Sequence, residues 1–252
     1  MTLIINTLVY EKEIQSGISQ LDLVDRIADL AADGIEIRRE YFKDVDAEIK
    51  ELAPAVREKG LLLNYSVPDN IFDENGNFNQ NLNKYYKEAQ ELGAQKIKFS
   101  TGNFYKYHGD LAEDLSNLPL ATIQTTIEND QTPISGNPDT VFDFLTAVRK
   151  AGFNSIFATF DLGNLAFTGF DPNLAAKKLA PFVAYIHLKN PMLNAKGKMQ
   201  NTESLDLGMF NWKAVVRYLP KDAQFAFEFA MPDDEVIGKE MEKFHDYFNG
   251  KR

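Results

Sequence analysis

The 252-residue sequence contains no cysteine, which excludes disulfide bonds and thiolate metal sites. No apolar run approaches the roughly 20 residues of a membrane-spanning helix, and the first residues lack the basic start and cleavage site of a signal peptide. We therefore expect a cytoplasmic protein with no membrane partner. The 27 basic residues are outnumbered by 37 acidic ones, and the resulting net charge of −10 argues against nucleic-acid partners.

Histidine is also scarce, and one of the three histidines interrupts an apolar run, as His187 in "FVAYIHLKN" (182–190). A buried histidine needs only one hydrogen-bond partner, so this segment alone is compatible with a core residue or with a metal ligand. The residues at the equivalent positions of the neighbouring predicted strands decide between these two interpretations.

Short β-like runs alternate with helical patterns along the whole chain. Between the runs, apolar residues recur at helical spacing, as Val24, Ile27 and Leu30 do in the first helical stretch. The eight runs span residues 3–10, 34–38, 61–67, 96–100, 121–128, 155–161, 182–188 and 224–229.

The alternation predicts the fold. Strict alternation of strands and helices indicates a parallel sheet, and eight units of about 31 residues indicate a closed barrel. An open doubly wound sheet is the rival, but no G-x-G-x-x-G follows the first run. No stretch resembles a linker. We therefore predict an α/β protein with a single (β/α)8 TIM-barrel domain over residues 1–252.

The last four predicted strands each end in one ionisable residue within an apolar context. These residues are Glu128, Asp161, His187 and Glu228. Taken singly, Glu128 fits a helix cap and Asp161 fits a turn before Gly163. However, the carboxyl ends of TIM-barrel strands converge on one face, where the chemistry of these enzymes takes place. We therefore predict that the four residues share a site.

Three carboxylates and one imidazole are a typical ligand set for a hard or borderline divalent cation. Mn²⁺ fits best, and Mg²⁺, Co²⁺ or Zn²⁺ are alternatives. Three carboxylates also repel one another at short range, so that without a cation at least one should hold a proton. We therefore predict one divalent metal ion with His187 among its ligands.

Six segments resemble motifs of the xylose isomerase-like TIM barrel superfamily, in its sugar phosphate isomerase/epimerase branch. They are "GIEIR" (34–38), "IEND" (127–130), "FDLGN" (160–164), "IHLKN" (186–190), "LGMFNW" (207–212) and "FEF" (227–229), in the family's order. The resemblance spans essentially the whole chain. It implies that Glu128, Asp161, His187 and Glu228 bind one divalent metal ion.

Such a site suits proton transfer next to a substrate carbonyl through an enediolate, with Glu128 and Glu228 trading acid and base roles. We predict a metal-dependent isomerase or epimerase of carbohydrate metabolism, acting on a sugar or sugar phosphate. A dehydratase acting on a cyclic polyol or keto-acid is an alternative, as is a non-catalytic sugar-binding barrel. The family tendency towards dimers and tetramers is compatible with a homo-oligomer.

Three further residues are candidates for substrate binding. Lys189 stands close to His187, and its ammonium group suits a substrate oxygen. Asn164 stands where several relatives have a histidine that touches substrate. His108 lies in the loop after the fourth strand. A second departure from the family is Asn190, which replaces the usual aspartate after His-x-Lys.

Glu36 and Arg38 share one face of the second predicted strand, because strand residues alternate with period two. If that face points inward, the two residues form a charge pair low in the barrel, together with Lys98. We predict a structural network for them before a catalytic one.

Overall fold

The computed structural model describes residues 1–250. Its strands are β1 (Leu3–Asn6), β2 (Gly34–Arg38), β3 (Leu62–Phe72), β4 (Lys96–Gly102), β5 (Gln124–Glu128), β6 (Ile156–Asp161), β7 (Val183–Leu188), β8 (Met192–Leu193), β9 (Met199–Gln200) and β10 (Gln224–Phe227). Its α-helices are α1 (Glu11–Gln15), α2 (Leu23–Asp29), α3 (Val45–Glu58), α4 (Leu82–Leu92), α5 (Leu111–Ser116), α6 (Pro138–Lys150), α7 (Asn164–Thr168), α8 (Pro172–Leu179), α9 (Trp212–Val215) and α10 (Asp234–Phe248). None of the helices in this range has the combined length and hydropathy of a membrane span.

Eight of the strands close into a parallel barrel in the order β1-β2-β3-β4-β5-β6-β7-β10. The barrel closes where β1 pairs with β10, with Leu3 opposite Phe225. Strands β8 and β9 form a separate antiparallel hairpin in the connection between β7 and β10. The predicted (β/α)8 TIM-barrel fold is therefore confirmed.

Successive residues of each barrel strand face alternately the helices and the barrel interior. On β2, Ile35 and Ile37 belong to the large hydrophobic core that the strands share with the helices. The interior has a much smaller apolar cluster, formed by Ile4, Tyr185 and Ala226. Tyr185 and Ala226 lie two residues before the predicted site residues of their strands, so this cluster is an apolar floor beneath the strand ends.

Several predicted strand bounds differ from the structure: β3 continues to Phe72 beyond the predicted 61–67, and β5 begins at Gln124 within the predicted 121–128. The first predicted strand, 3–10, ends at Asn6, because the Asn6 side chain accepts a hydrogen bond from Leu8 N and begins a 3-10 turn. Helix α3 begins at Val45 and contains Pro54. The side chain of Asp44 caps this start by accepting from Ala47 N.

Candidate metal centre

The four predicted donor residues lie together at the carboxyl-terminal end of the barrel. Glu128 and Asp161 are the last residues of β5 and β6. His187 is next to last in β7, and Glu228 follows the last residue of β10. One ligand atom from each residue lies within 4.8 Å of those of the others, and all four residues are buried. Strand register brings them together, as where Asp161 stands opposite His187 in the β6–β7 pair.

The spacing of the donor atoms fits a divalent metal ion. His187 Nδ1 lies 2.8 Å from Glu128 Oε1 and 3.4 Å from Glu228 Oε2. It lies 3.9 Å from Asp161 Oδ2, a buried oxygen without a hydrogen-bond partner in residues 1–250. Donors about 2.1 Å from a small ion in octahedral geometry are about 3 Å apart. The chemistry and the separation of these donors therefore suit such an ion.

Two of the carboxylates are each paired through their second oxygen with a cation, the buried Lys98 and the partly buried Arg38. Lys98 Nζ lies 2.6 Å from Glu128 Oε2, and both side chains are almost fully buried. Arg38 Nη1 lies 2.6 Å from Glu228 Oε1. Each pair therefore fixes the orientation of a carboxylate whose other oxygen faces His187.

A third cation stands among the donor atoms themselves. Lys189 Nζ donates a hydrogen bond to Glu228 Oε2 at 2.7 Å. It also lies 2.9 Å from Asp161 Oδ2, where the two groups form an ion pair but no hydrogen bond. The sequence predicts an added cation or a proton for these carboxylates but does not show the cations that the chain places beside them. The chain itself supplies positive charge to each of the three predicted carboxylate ligands.

A fourth carboxylate faces His187 from the other side. Glu36 Oε2 lies 2.9 Å from His187 Nε2, and both side chains are fully buried. Glu36 also accepts hydrogen bonds from Asn6 Nδ2 and from Tyr185 OH. Nε2 has no hydrogen-bond partner within residues 1–250, whereas Nδ1 is hydrogen-bonded to Glu128 Oε1. Glu36 therefore lies next to the ring without fixing it through a hydrogen bond.

The sequence-based pairing of Glu36 with Arg38 is therefore wrong. Both side chains face inward, as period two predicts, but Arg38 contacts Glu228 and Glu40 while Glu36 contacts His187. The alternation of strand residues correctly predicts that both side chains point into the barrel. The partners across the barrel depend on strand register and stagger, which the segment alone does not encode.

The surrounding charges move the pKa values of the site residues in different directions. Burial raises the pKa of Asp161 to about 7, against the lowering effect of Lys189. For Glu128, Lys98 and His187 outweigh burial and lower the pKa to about 2. The pKa of His187 is raised well above its ordinary value, because the nearby carboxylates outweigh burial. Neighbouring carboxyl groups thus differ in proton affinity, a condition for acid–base chemistry.

No sequence family model and no curated protein matches the chain. Among solved structures, L-ribulose 3-epimerase is similar with a TM-score of 0.71 and 15% identity, covering 100% of this chain and 96% of the other. A xylose isomerase-like TIM barrel protein from Mycobacterium smegmatis in complex with magnesium has a TM-score of 0.67 and 17% identity, covering 99% of this chain and 97% of the other.

A third similar structure is the probable 3-DHS dehydratase AsbF from Bacillus anthracis, with a TM-score of 0.67 and 14% identity. It covers 97% of this chain and 99% of the other. The likeness in all three cases is to a (β/α)8 TIM barrel, the fold that the strand order of this chain shows. At such identities the likeness establishes the fold alone, so the activity has to be argued from the site.

Two asparagines lie next to Asp161 and bond to its backbone or to each other. Asn129 Nδ2 donates to Asp161 O at 2.8 Å, and Asn129 Oδ1 accepts from Asp161 N at 2.9 Å. Asn164 donates through its Nδ2 to Asn129 O, while its buried Oδ1 has no hydrogen-bond partner within residues 1–250. Asn164 therefore offers an acceptor beside the donor set. Sequence reasoning missed Asn129, although the "IEND" segment contains it.

The structure gives Asn190 a role that an aspartate does not fill. Asn190 is buried, and its Nδ2 donates to Leu205 O and Phe210 O, each at 2.7 Å. An aspartate has no proton to donate to these carbonyl groups at neutral pH. Asn190 thus anchors the long connection after β7. It is not one of the four donor residues.

The two other substrate-binding candidates differ in position. Lys189 is buried within the donor cluster. His108 is exposed on the loop between β4 and α5. Its contact with substrate remains a prediction.

Proposed function

We propose that the protein is a divalent-metal-dependent sugar isomerase or epimerase. The observation that carries the proposal is the convergence of Glu128, Asp161, His187 and Glu228 at the ends of four consecutive barrel strands. These residues would hold the ion, with Mn²⁺ as the first candidate. When bound, such an ion acts as a Lewis acid that polarises a carbonyl group and stabilises negative charge on its oxygen.

Glu128 and Glu228 are the proposed acid–base pair. Lys98 helps to keep Glu128 ionised at neutral pH, so that its carboxylate can take a proton from the carbon next to a substrate carbonyl. For the second transfer Glu228 has to enter the cycle protonated from solvent; it would then give its proton to the same carbon or to its neighbour, which gives epimerisation or isomerisation, while Glu128 keeps the proton it took. In the reverse direction the two residues exchange roles.

Lys189 and Asn164 are the proposed substrate-binding groups. Lys189 carries three donor protons that suit hydroxyl or carbonyl oxygens, and the buried Asn164 Oδ1 suits a hydroxyl proton. Both stand next to donor residues in the structure. Together they would orient a polyhydroxylated substrate.

Access to the site requires movement of side chains at the barrel mouth. The side chain of Glu128 is 6% exposed and that of Glu228 is 3% exposed. A cavity of about 380 Å³ lies between the segments that follow β1 and β2, lined by residues such as Ile18, Tyr41 and Phe42 and by none of the four donors. The donor cluster is therefore closed in this structure, and the cavity is not the proposed reaction site.

The test is solvent-proton exchange into ketoses. The protein is freed of metal, supplied with Mn²⁺, and incubated in D₂O with L-ribulose, D-fructose or D-tagatose while NMR follows deuterium at the carbons next to the carbonyl. We expect incorporation with Mn²⁺ and none with a chelator. Formation of an absorbing enone would indicate dehydration, whereas sugar binding without exchange for any ketose would contradict the proposal.

A further inference from the structure

The ammonium group of Lys189 lies in the region where the four donor atoms meet. Its Nζ is 2.7 Å from Glu228 Oε2 and 2.9 Å from Asp161 Oδ2, and the side chain is 7% exposed. Asp161 Oδ2 and Glu228 Oε2 are also the oxygens of these residues that lie near His187 Nδ1. A lysine in this position and a metal ion bound to all four residues therefore compete for the same oxygens.

The neighbouring loop is built around the stem of this lysine. A Cβ atom placed on Gly163 would lie 2.3 Å from Lys189 Cγ, 2.9 Å from the backbone oxygen of Lys189 and 3.2 Å from Lys189 Cδ. The backbone φ of Gly163 is −75°, which any residue can adopt, so the glycine is needed here for space. The absence of a side chain at residue 163 is what lets Lys189 reach Asp161.

The cluster already holds cations beside its carboxylates. Three basic side chains, Arg38, Lys98 and Lys189, each lie within 2.9 Å of an oxygen of Glu128, Asp161 or Glu228. A divalent ion added to this cluster has to overcome the repulsion of cations that are already in place.

We propose that Lys189 is an internal cation of the donor cluster, which a divalent metal ion must displace from Asp161 and Glu228 in order to bind. This inference rests on the proposed metal-binding role of the four donors. Displacement moves the Lys189 ammonium group away from the carboxylates and makes its protons available to a substrate oxygen. Lys189 thereby weakens metal affinity and keeps the metal-free barrel stable.

The test measures Mn²⁺ affinity and thermal stability of the metal-free full-length protein and of Lys189→Met. We expect Lys189→Met to bind Mn²⁺ about 10- to 100-fold more tightly, because one competing cation is removed. In chelator, its melting temperature should fall below that of the wild type, and Mn²⁺ should restore it. The matched control is Lys96→Met on β4, since Lys96 donates to the neutral amide of Gln124 and should leave the affinity unchanged.

Gly163→Ala provides a second route to the same result if Lys189→Met folds poorly. The added Cβ pushes the lysine stem away, so this variant should also bind Mn²⁺ more tightly than the wild type. Equal or weaker binding by both variants, beside measurable wild-type binding, contradicts the inference and leaves the proposed function intact. Absence of Mn²⁺ binding in every variant contradicts both.

Discussion

Glu228→Gln is expected to lower the rate of deuterium exchange by at least about 100-fold, because it removes one member of the proposed acid–base pair. It should weaken Mn²⁺ binding as well. Glu228 Oε2 lies near both His187 Nδ1 and Lys189 Nζ, and a neutral amide there supplies a poorer ligand atom. Exchange is measured by NMR in D₂O, and affinity by calorimetric titration of the metal-free protein.

Glu40→Gln is the matched control for this substitution. Glu40 contacts the same arginine, since its Oε1 lies 2.6 Å from Arg38 Nη2, but its side chain is 31% exposed and it is not a proposed ligand. This variant should keep both exchange and metal binding near the wild-type values. If Glu228→Gln retained wild-type exchange, Glu228 would have no part in the chemistry.

Lys98→Met is expected to cost the fold about 3–5 kcal/mol in the free energy of unfolding, because Glu128 Oε2 would then lie buried without its cation. For a chain of this size, the melting temperature should fall by about 6–20 °C. Thermal unfolding followed by circular dichroism measures the change. Metal is removed beforehand, so that an added ion cannot replace the lost charge.

Two companion variants separate this ion pair from the general cost of losing a lysine. Lys96→Met, two residues earlier on β4, removes a lysine that donates to Gln124 and should change stability little. The double variant Lys98→Met with Glu128→Gln should recover part of the loss, because the unpaired charge is removed as well. Equal melting temperatures for Lys98→Met and Lys96→Met would mean that the buried pair contributes no net stability.

The alternation of strands and helices in the sequence predicts both the barrel and the position of the donor residues. Parallel strands end at one face, so an ionisable residue at the end of each apolar run is placed near the others once the runs are recognised as adjacent strands. That order alone was enough to predict that the four donor residues lie together. The first strand was predicted too long, because Asn6 ends it through a side-chain hydrogen bond within an otherwise apolar run.

The charge arrangement of the site was not predictable in the same way. Lys98 lies on β4, and its partner Glu128 lies on the next strand, whereas Arg38 reaches Glu228 from β2 across the closure of the barrel. Such pairs depend on stagger between strands and on side-chain length, neither of which shows in a single segment. The sequence therefore predicts a cation or a proton for the carboxylates, but it does not show that Lys189 lies between Asp161 and Glu228.

The most direct test of the central claim is a calorimetric titration of the metal-free protein with Mn²⁺, alongside His187→Ala. The matched control is His245→Ala, which removes a half-buried histidine from α10 outside the cluster. We predict one Mn²⁺ per chain for the wild type and for His245→Ala, and no measurable binding for His187→Ala. Failure of the wild type to take up Mn²⁺ or Co²⁺ at millimolar concentration would contradict a metal centre at these four residues.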